Sequence, residues 1–588
     1  MTEVHSSNIC ISLQPCMDSV PEDNGGLVID SAFNVDKILR ELVHPSGLWQ
    51  WGIVLLLMFS CTSVMTFPVY ANSSPPHRCR MESSVELFIR ERNLSFEEVS
   101  SGIGPWNLDP PYTSEGGRGC FRYKLNWTTI DLEKVFQPRH NETLTKELEP
   151  CVLGYVQEEN PHYYPGNVVI EFETFCDRAW LVPLGTSLYM CGAAAGSLLA
   201  GWWAGRYGRK FALLLLSLIE VISGIWSSCA RDYTSYVLSR FIINLGSTGK
   251  ANIAGVLLLE LTLAQYRSTF RAMLSLGIAF MYRALMALCA FYIPNWRWLN
   301  IAVVSPGLLS ILYFFLLPES PRWLFSQKRY KDGMKVLYTA YRVNHFKRNK
   351  DNWQKLQQLM VWAEMTDKPV MEAKANGELR DTRLTRRLCS CSTLNSITSR
   401  HLVKETILGT MILTCITMCL PGLLFYARAV RHYVYAVGFF NAATAIPGLM
   451  VFFLFYRFIR SRRCPFLSLM CMTAVVLAVG SVYTMSWYQS SEVVLIVCSN
   501  IGLLLLQATA NMCLLYIPEL YPSDLRSQGF GLILCVSKIG GIICSFVNTA
   551  GENLWHGFPV LIYSVVMLLA VFSTMFLRDT SGENLPDN

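Results

Sequence analysis

Charged residues are scarce in this sequence. Asp, Glu, Lys and Arg make up 16% of its 588 residues, whereas hydrophobic residues make up 52%. Soluble chains carry about 25% charged residues to cover their surface. The net charge of +7 is modest, and the basic residues lie in short segments between apolar runs instead of in one stripe. The composition therefore indicates a membrane protein and gives no support to nucleic-acid binding.

Several functional signatures are also missing from the sequence. It has no G-x-x-x-x-G-K-S/T loop, which argues against a nucleotide partner and against transport driven directly by ATP. No metal-ligand cluster and no nucleophile triad stand out. No filter motif or ring of pore-lining residues suggests a channel. We therefore expect no enzymatic activity, no catalytic residue, no metal and no cofactor.

Long apolar runs dominate the chain. A helix needs about 20 apolar residues to cross the hydrocarbon core of a membrane, and the sequence contains about twelve runs of that length. We number these predicted spans 1 to 12 in chain order. They cover residues 48–70, 180–200, 211–230, 236–262, 272–293, 299–317, 402–426, 434–456, 466–486, 490–513, 528–549 and 557–577.

The polar segments divide the chain into predicted regions. These are a cytosolic N-terminal segment (1–47), a first six-helix bundle (48–317) that includes a long loop (71–179), a cytosolic linker (318–401), a second six-helix bundle (402–577) and a cytosolic tail (578–588). Two similar halves joined by a linker are the architecture expected for alternating access around a midplane site.

The distribution of Lys and Arg predicts the orientation of the spans. The basic short loops and the basic linker fall on the side shared with both termini, so that side should be cytosolic. The loop 71–179 then lies outside, and glycans and disulfides form on that side of a membrane. The loop carries four N-x-S/T sequons, at Asn72, Asn93, Asn126 and Asn141, and four cysteines, Cys79, Cys120, Cys151 and Cys176. The four cysteines allow three disulfide pairings.

A basic loop with several glycines joins spans 2 and 3. It contains Gly201, Gly205, Arg206, Gly208, Arg209 and Lys210 and resembles the G-x-x-x-D-R-x-G-R-K signature of the major facilitator superfamily, with Gly205 in place of the acid. The glycines allow a tight turn and close helix packing, and the cations can hold the loop against anionic lipid and neighbouring helix ends. We assign gating roles to this loop and to charges elsewhere: Arg240, Glu260, Glu519 and Arg526.

Three further strings narrow the resemblance. PESPRWL follows span 6 at 318–324, PELYP follows span 10 at 518–522, and TSGENLP ends the chain at 580–586. Together with the sequon-bearing loop, they resemble the organic cation, organic anion and carnitine transporters, solute carrier family 22. The resemblance implies an all-α membrane protein of the major facilitator fold, with two six-helix bundles and a glycosylated extracellular loop, in the plasma membrane.

Charged residues in the middle of a span are costly and usually face a wet cavity or a partner. The resemblance places spans 4, 5 and 11 around a central cavity, with Glu220 of span 3 behind it. At the position of Lys538 the cation-transporting relatives carry an aspartate and the anion-transporting relatives an arginine. The span-10 acid of the cation transporters corresponds to Asn511. The predicted substrate-binding residues are Lys538, Arg283, Lys250, Asn511 and Tyr282.

The sequence leaves alternatives open. Arg283 can pair with Glu220, and Lys250 can bind helix carbonyls, in purely structural roles. We predict a secondary transporter of small organic ions, with a preference for organic anions or carboxylate-bearing zwitterions. The alternatives are an organic cation or carnitine-like solute held by aromatic faces, and a receptor or scaffold that has lost transport. The expected partners are the solute and the lipid bilayer, and the oligomeric state stays open.

Overall fold

The computed structural model describes residues 35–44, 46–72, 75–105, 119–130, 132–136, 147–158, 166–345, 352–361, 363–364, 400–426, 434–459, 461, 463–486, 492–520, 523–554 and 557–577. These residues are mostly helical, and 11 of the helices are long and apolar enough to cross a membrane. The prediction of an all-α membrane protein with many spans is therefore confirmed.

Spans 2 to 12 are each present as helix. Their bounds are Leu181–Tyr207, Arg209–Ser228, Tyr233–Leu261, Arg267–Tyr292, Trp296–Leu316, Arg400–Tyr426, Val434–Ala443 with Ala445–Phe458, Arg463–Ser486, Glu492–Glu519, Ser523–Leu554 and Phe558–Met575. Span 5 contains a π turn at Gly277–Met281, and span 6 contains a 3₁₀ segment at Ser305–Leu312. π turns inside α-helices are rare and often lie at functional sites.

Span 1 is divided. A helix covers Leu48–Ser60, residues 61–66 are not helical, and a second short helix covers Phe67–Ala71. The prediction of one continuous span over 48–70 is therefore wrong. Pro68 has no N–H to donate to the carbonyl of Val64 four residues earlier, and the hydroxyl of Thr62 donates to the Glu220 carboxylate of span 3.

The predicted extracellular loop contains small elements that the sequence pattern did not reveal. Its strands are β1 (His77–Cys79), β2 (Phe121–Tyr123), β3 (Leu148–Pro150) and β4 (Tyr155–Gln157). Its helices are Ser83–Glu91, Phe96–Ile103, Leu132–Val135 and Val168–Glu171. Strand β1 pairs with β4 and β2 with β3, both antiparallel. Disulfides join Cys79 to Cys151 and Cys120 to Cys176, which selects one of the three pairings.

An ion pair holds the start of helix Ser83–Glu91 against β1. Arg78 donates two hydrogen bonds to the Glu86 carboxylate, at 2.7 and 2.9 Å, and the N–H of Met81 donates a third at 3.0 Å. Burial raises the pKa of Glu86, but these hydrogen bonds and the charge of Arg78 outweigh it and hold the pKa below its ordinary value. The pair therefore contributes stability only while Glu86 is ionised.

The sequons differ in their accessibility. Asn93 and Asn126 are exposed, whereas the side chain of Asn72 is buried, with 6% of its surface accessible. Asn141 lies outside the described residues. Glycosylation stays a prediction, and the burial of Asn72 makes this sequon the least suited of the three described positions.

The described residues form two compact units. The first contains the described residues that fall within Met1–Trp51, Glu260–Ala264 and Glu319–Arg380, and the second those that fall within Gly52–Leu259, Gln265–Pro318 and Asp381–Asn588. The first unit includes helix Val35–Ile38 with a π turn at Leu39–Val43, and linker helices Pro321–Ser326 and Tyr330–Asn344. The predicted region boundaries, the cytosolic side and the orientation of the termini stay predictions.

Asn344 is the centre of the polar contacts in the first unit. Its Oδ1 accepts from the N–H of Trp49 at 2.8 Å, and its Nδ2 donates to the carbonyl of Val43 at 3.1 Å and to Gln50 Oε1 at 3.0 Å. The end of the linker helix thus holds both the first turn of span 1 and the segment that precedes it.

Candidate functional site

The two helix bundles meet along two pairs of spans. Span 2 packs along span 11, and span 5 packs along span 8. Ser187 Oγ of span 2 donates to the carbonyl of Ile542 at 3.2 Å, and Ser275 Oγ of span 5 donates to Asn511 Oδ1 of span 10 at 2.7 Å. By the predicted orientation, the first bond lies in the extracellular half and the second in the cytosolic half. The middle of the bundle interface therefore lies between these two contacts.

Lys538 lies between these two levels, in span 11. It is half-buried and has no hydrogen-bond or ion-pair partner among the described residues. Seven residues of α-helix make about two turns, so Lys538 lies on the same helix face as Ser545. Ser545 lines a small cleft between the bundles, together with Pro68, Val69, Pro183, Thr186, Phe425, Asn548 and Thr549. Lys538 therefore presents an unpaired ammonium at the bundle interface, below this cleft.

Arg283 in span 5 is a second unpaired cation. It is 8% exposed, and within the described chain its guanidinium has no hydrogen-bond or ion-pair partner. It lies eight positions after Ser275 in the chain. The intervening π turn adds about one residue to the helix, so the two residues lie about two full turns apart on one face. Because Ser275 contacts the second bundle, Arg283 is directed toward the same interface.

Lys250 is held by protein groups in this structure. Its ammonium donates to the Glu220 carboxylate and, at 2.8 Å, to the carbonyl of Ser60, and both charged side chains are completely buried. The alternative pairing of Glu220 with Arg283 is therefore not observed. A solute cannot reach Lys250 in this conformation, because span 1 and Glu220 cover its ammonium.

Tyr282 and Asn511 are also engaged by protein groups. The hydroxyl of Tyr282 donates to the carbonyl of Phe59, and Asn511 accepts from Ser275 and donates to the carbonyl of Gln507 at 2.8 Å. Both side chains are at least 98% buried. Of the five predicted substrate-binding residues, Lys538 and Arg283 alone have a charged group without a protein partner in the described structure. The substrate-binding role of all five stays a prediction.

The loop between spans 2 and 3 turns at one glycine. Gly208 has φ of 98°, a left-handed conformation that favours glycine. A Cβ at Gly201 or Gly205 would meet nothing within 4 Å. The expected close helix packing at these two glycines is therefore wrong, and the tight turn is confirmed at Gly208.

The cations of this loop contact rings and helix ends. The guanidinium of Arg206 lies 5.9 Å from the ring of Trp202. Arg209 donates to the carbonyl of Ala204 at 3.2 Å, and Lys210 donates to the carbonyl of Phe314 at 2.8 Å. Lys210 thereby ties the loop to the end of span 6, which fits the predicted contact with a neighbouring helix end.

Two of the remaining predicted gating residues, Arg240 and Glu260, make contacts in the described part of the chain. Arg240 is buried between the rings of Phe67 and Tyr189, at 4.6 and 4.7 Å. The carbonyl of Glu260 accepts from Arg322 at 3.1 Å. The side chains of Glu519 and Arg526 lie outside the described residues. The gating roles of all four residues stay predictions.

The known proteins to which this chain is similar are membrane transporters. Residues 141–585 match the family described as "Sugar (and other) transporter". Solute carrier family 22 member 1 of Oryctolagus cuniculus is 29% identical over 567 residues, covering 94% of each chain. Member 2 of Rattus norvegicus is 27% identical over 562 residues, again covering 94% of each chain. The "Organic cation transporter protein" of Drosophila melanogaster is 24% identical over 522 residues, covering 88% of this chain and 87% of the relative.

Solved structures support the same fold. The inward-open xylose transporter XylE from E. coli has a TM-score of 0.50 and is 18% identical, covering 70% of this chain and 89% of the transporter. A double-tryptophan mutant of XylE has a TM-score of 0.51 and is 17% identical, covering 71% of this chain and 90% of the mutant. At this identity the likeness shows the fold and nothing finer, and the expected major facilitator fold is confirmed.

Proposed function

Because the chain belongs to the Sugar (and other) transporter family and, within the major facilitator superfamily, to solute carrier family 22, we propose that it carries a small organic ion across the plasma membrane by alternating access. The observation that supports this proposal is the bundle interface. It carries two unpaired cations, Arg283 and Lys538, between two levels of inter-bundle contact. Buried charges without protein partners cost several kcal/mol in a membrane and are kept for a function.

We further propose that the solute is an organic cation that also bears a carboxylate. A relative named "Organic cation transporter protein" favours a cationic group, and the comparisons give no support to the sequence-based preference for an organic anion. The carboxylate is suggested by this chain's own residues. Lys538 and Arg283 repel a solute with positive charge alone, whereas a carboxylate offsets their charge. Aromatic faces can receive the cationic group.

An organic anion is the second candidate. It is favoured by one observation, that the described interface offers unpaired cations while the buried acid Glu220 is neutralised by Lys250. An anion needs no further group to satisfy these cations. The two candidates differ in whether the solute must carry a positive centre.

An uptake screen separates the candidates. Cells that express the protein, and matched cells that do not, receive three labelled probes: a trimethylammonium carboxylate, a tetraalkylammonium ion and an aromatic monocarboxylate. We expect saturable uptake of the zwitterion, with slower uptake of the pure cation and none of the anion. Uptake of the anion above the other two probes favours the second candidate. If a surface-expressed protein moves none of the three, the transport proposal fails for these solute classes, and a receptor or scaffold becomes the better interpretation.

A further inference from the structure

The interruption of span 1 leaves backbone carbonyls without helical partners. We call residues 61–66, with the last turn before them, the helix-1 break. Four of its carbonyls accept hydrogen bonds from side chains of spans 4 and 5. The pairs are Tyr282 to Phe59, Lys250 to Ser60 (2.8 Å), Ser247 to Thr62 (2.9 Å) and Arg240 to Val64 (3.3 Å). At membrane depth such carbonyls must be satisfied inside the protein, so these donors hold the backbone in its interrupted form.

A buried ion pair lies at the centre of the break. The carboxylate of Glu220 accepts from the hydroxyl of Thr62 and from Lys250, which also donates to the carbonyl of Ser60. Neither charged side chain has any accessible surface. The pair thus contacts span 1 through both of its members. Removal of one member would leave an uncompensated buried charge, whereas removal of both would not.

The break separates two parts of span 1 with different neighbours. Below it, Ser60 bonds to Tyr313 of span 6 in the first bundle. Above it, the ring of Tyr70 stacks on Tyr435 of span 8 at a centroid distance of 6.1 Å. A Cβ at Gly438 would lie 2.1 Å from the Tyr70 hydroxyl, so the upper segment fits closely against the second bundle. The conformation of the break therefore determines how the upper segment reaches across the interface.

We propose that Glu220 and Lys250 are positioning residues that clamp the helix-1 break. The clamp fixes the carbonyl of Phe59, to which Tyr282 donates, and thereby the place of the adjacent Arg283 at the bundle interface. In this conformation neither side chain is accessible to a solute. The step from Tyr282 to Arg283 rests on the proposed function, because it assumes that Arg283 meets the transported ion. The clamp itself does not.

Native Cys61 in the break reports on the clamp directly. It is completely buried, as is Cys419 in span 7 of the second bundle. The experiment measures N-ethylmaleimide labelling of both thiols in the purified full-length protein, resolved by mass spectrometry. In the unmodified protein both should label slowly. Lys250→Met and Glu220→Gln should each label Cys61 at least about tenfold faster while Cys419 stays slow, because each leaves one buried charge unpaired.

Two double variants sharpen the test. Glu220→Gln with Lys250→Met removes both charges and should return Cys61 to within about threefold of its original labelling rate. The exchange of Glu220→Lys with Lys250→Glu keeps both charges but turns a carboxylate toward the Ser60 carbonyl, so it should not restore slow labelling. Unchanged labelling of Cys61 in both single variants, or equally fast labelling in the neutral double variant, overturns the proposal.

A milder pair of variants covers the case in which a charge variant unfolds. Unfolding exposes Cys419 together with Cys61, and the test then uses Thr62→Val, which removes the neutral hydroxyl that donates to Glu220, and Tyr282→Phe, which removes the donor to the Phe59 carbonyl. We expect about twofold to fivefold faster labelling of Cys61 alone from the loss of one such bond, and no change in Thr62→Val contradicts the clamp. Tyr282→Phe should also raise the KM for the transported zwitterion. If no solute is carried, the labelling result still stands, so failure of the function and failure of the clamp can be distinguished.

Discussion

Replacing Lys538 with Gln should lower the affinity of the protein for a solute that bears a carboxylate. Lys538 has no hydrogen-bond or ion-pair partner among the described residues. A bound carboxylate therefore does not compete with a protein group for the hydrogen bond from the Lys538 ammonium. A hydrogen bond to a charged group contributes about 1.5–3 kcal/mol. Since about 1.4 kcal/mol corresponds to a factor of ten, we expect the KM for a trimethylammonium carboxylate to rise by roughly 10-fold to 100-fold.

A probe without a carboxylate provides the internal comparison. Lys538→Gln removes a repulsive charge for a tetraalkylammonium ion, so its KM should stay the same or fall. The assay is the initial rate of labelled uptake against concentration, corrected for protein at the cell surface. The matched control is Lys335→Gln, which changes a lysine whose side chain is 55% exposed on a linker helix. An equal rise in KM for both probes would refute the proposed contact between Lys538 and a carboxylate.

Three further predictions address the loop and the extracellular segment. Gly208→Ala should lower the transport rate several-fold without changing the ranking of substrates, because alanine is strained at a φ of 98°; uptake of the three probes checks both quantities. Asn126→Gln should remove one glycan from the protein, seen as a faster band on a gel, whereas Asn72→Gln should not, since Asn72 is buried. The depressed pKa of Glu86 means that its pair with Arg78 stabilises the segment above the ordinary glutamate pKa and is lost as pH falls through the lower folded value. Melting temperatures measured from pH 7 down to pH 3 should therefore fall less steeply for Glu86→Gln than for the unmodified protein.

Spans 2 to 12 could be predicted because each apolar residue adds to the hydrophobicity of its run, whatever the run packs against. About 20 apolar residues are needed to cross the bilayer, and a run of that length is visible without knowledge of any partner. The four cysteines of the predicted extracellular loop were likewise singled out from the sequence as disulfide candidates, and all four form disulfides. Which cysteines pair could be seen only in the folded loop. There Cys79 lies on β1, opposite Tyr155 of β4, and its disulfide partner Cys151 lies four residues before Tyr155.

The division of span 1 could not be predicted from hydrophobicity, because its residues are apolar enough to continue as a helix. Pro68 was the available signal, since it removes the donor for the Val64 carbonyl. In the folded protein the Val64 carbonyl accepts from the N–H of Phe67 and from Arg240, both at 3.3 Å, and the contact with Arg240 of span 4 is not visible in the sequence. The ion-pair partner of Lys250 could not be predicted either. The sequence allows Glu220 to pair with Lys250 or with Arg283, and only the packing of the helices shows which pair forms.

The wrong expectation of close helix packing at Gly201 and Gly205 also arose because the sequence does not show which groups surround a residue. The motif shows where glycines occur but not what surrounds them, and Gly201 and Gly205 proved to face open space. Lys538 and Arg283 were both found from the sequence as midspan charges. Their lack of protein partners, which makes them the strongest candidates for solute contact, could be read only from the packed structure.

Counterflow in proteoliposomes tests the central claim most directly. Purified protein is reconstituted into vesicles preloaded with unlabelled trimethylammonium carboxylate, and a trace of labelled compound is added outside. A carrier that works by alternating access exchanges the two, so the label should accumulate transiently above its external concentration and then decline, and Lys538→Asp should abolish this overshoot. Vesicles that show no overshoot with the zwitterion, the pure cation or the anion, despite correctly folded protein, would contradict the claim that this chain is a secondary transporter of small organic ions.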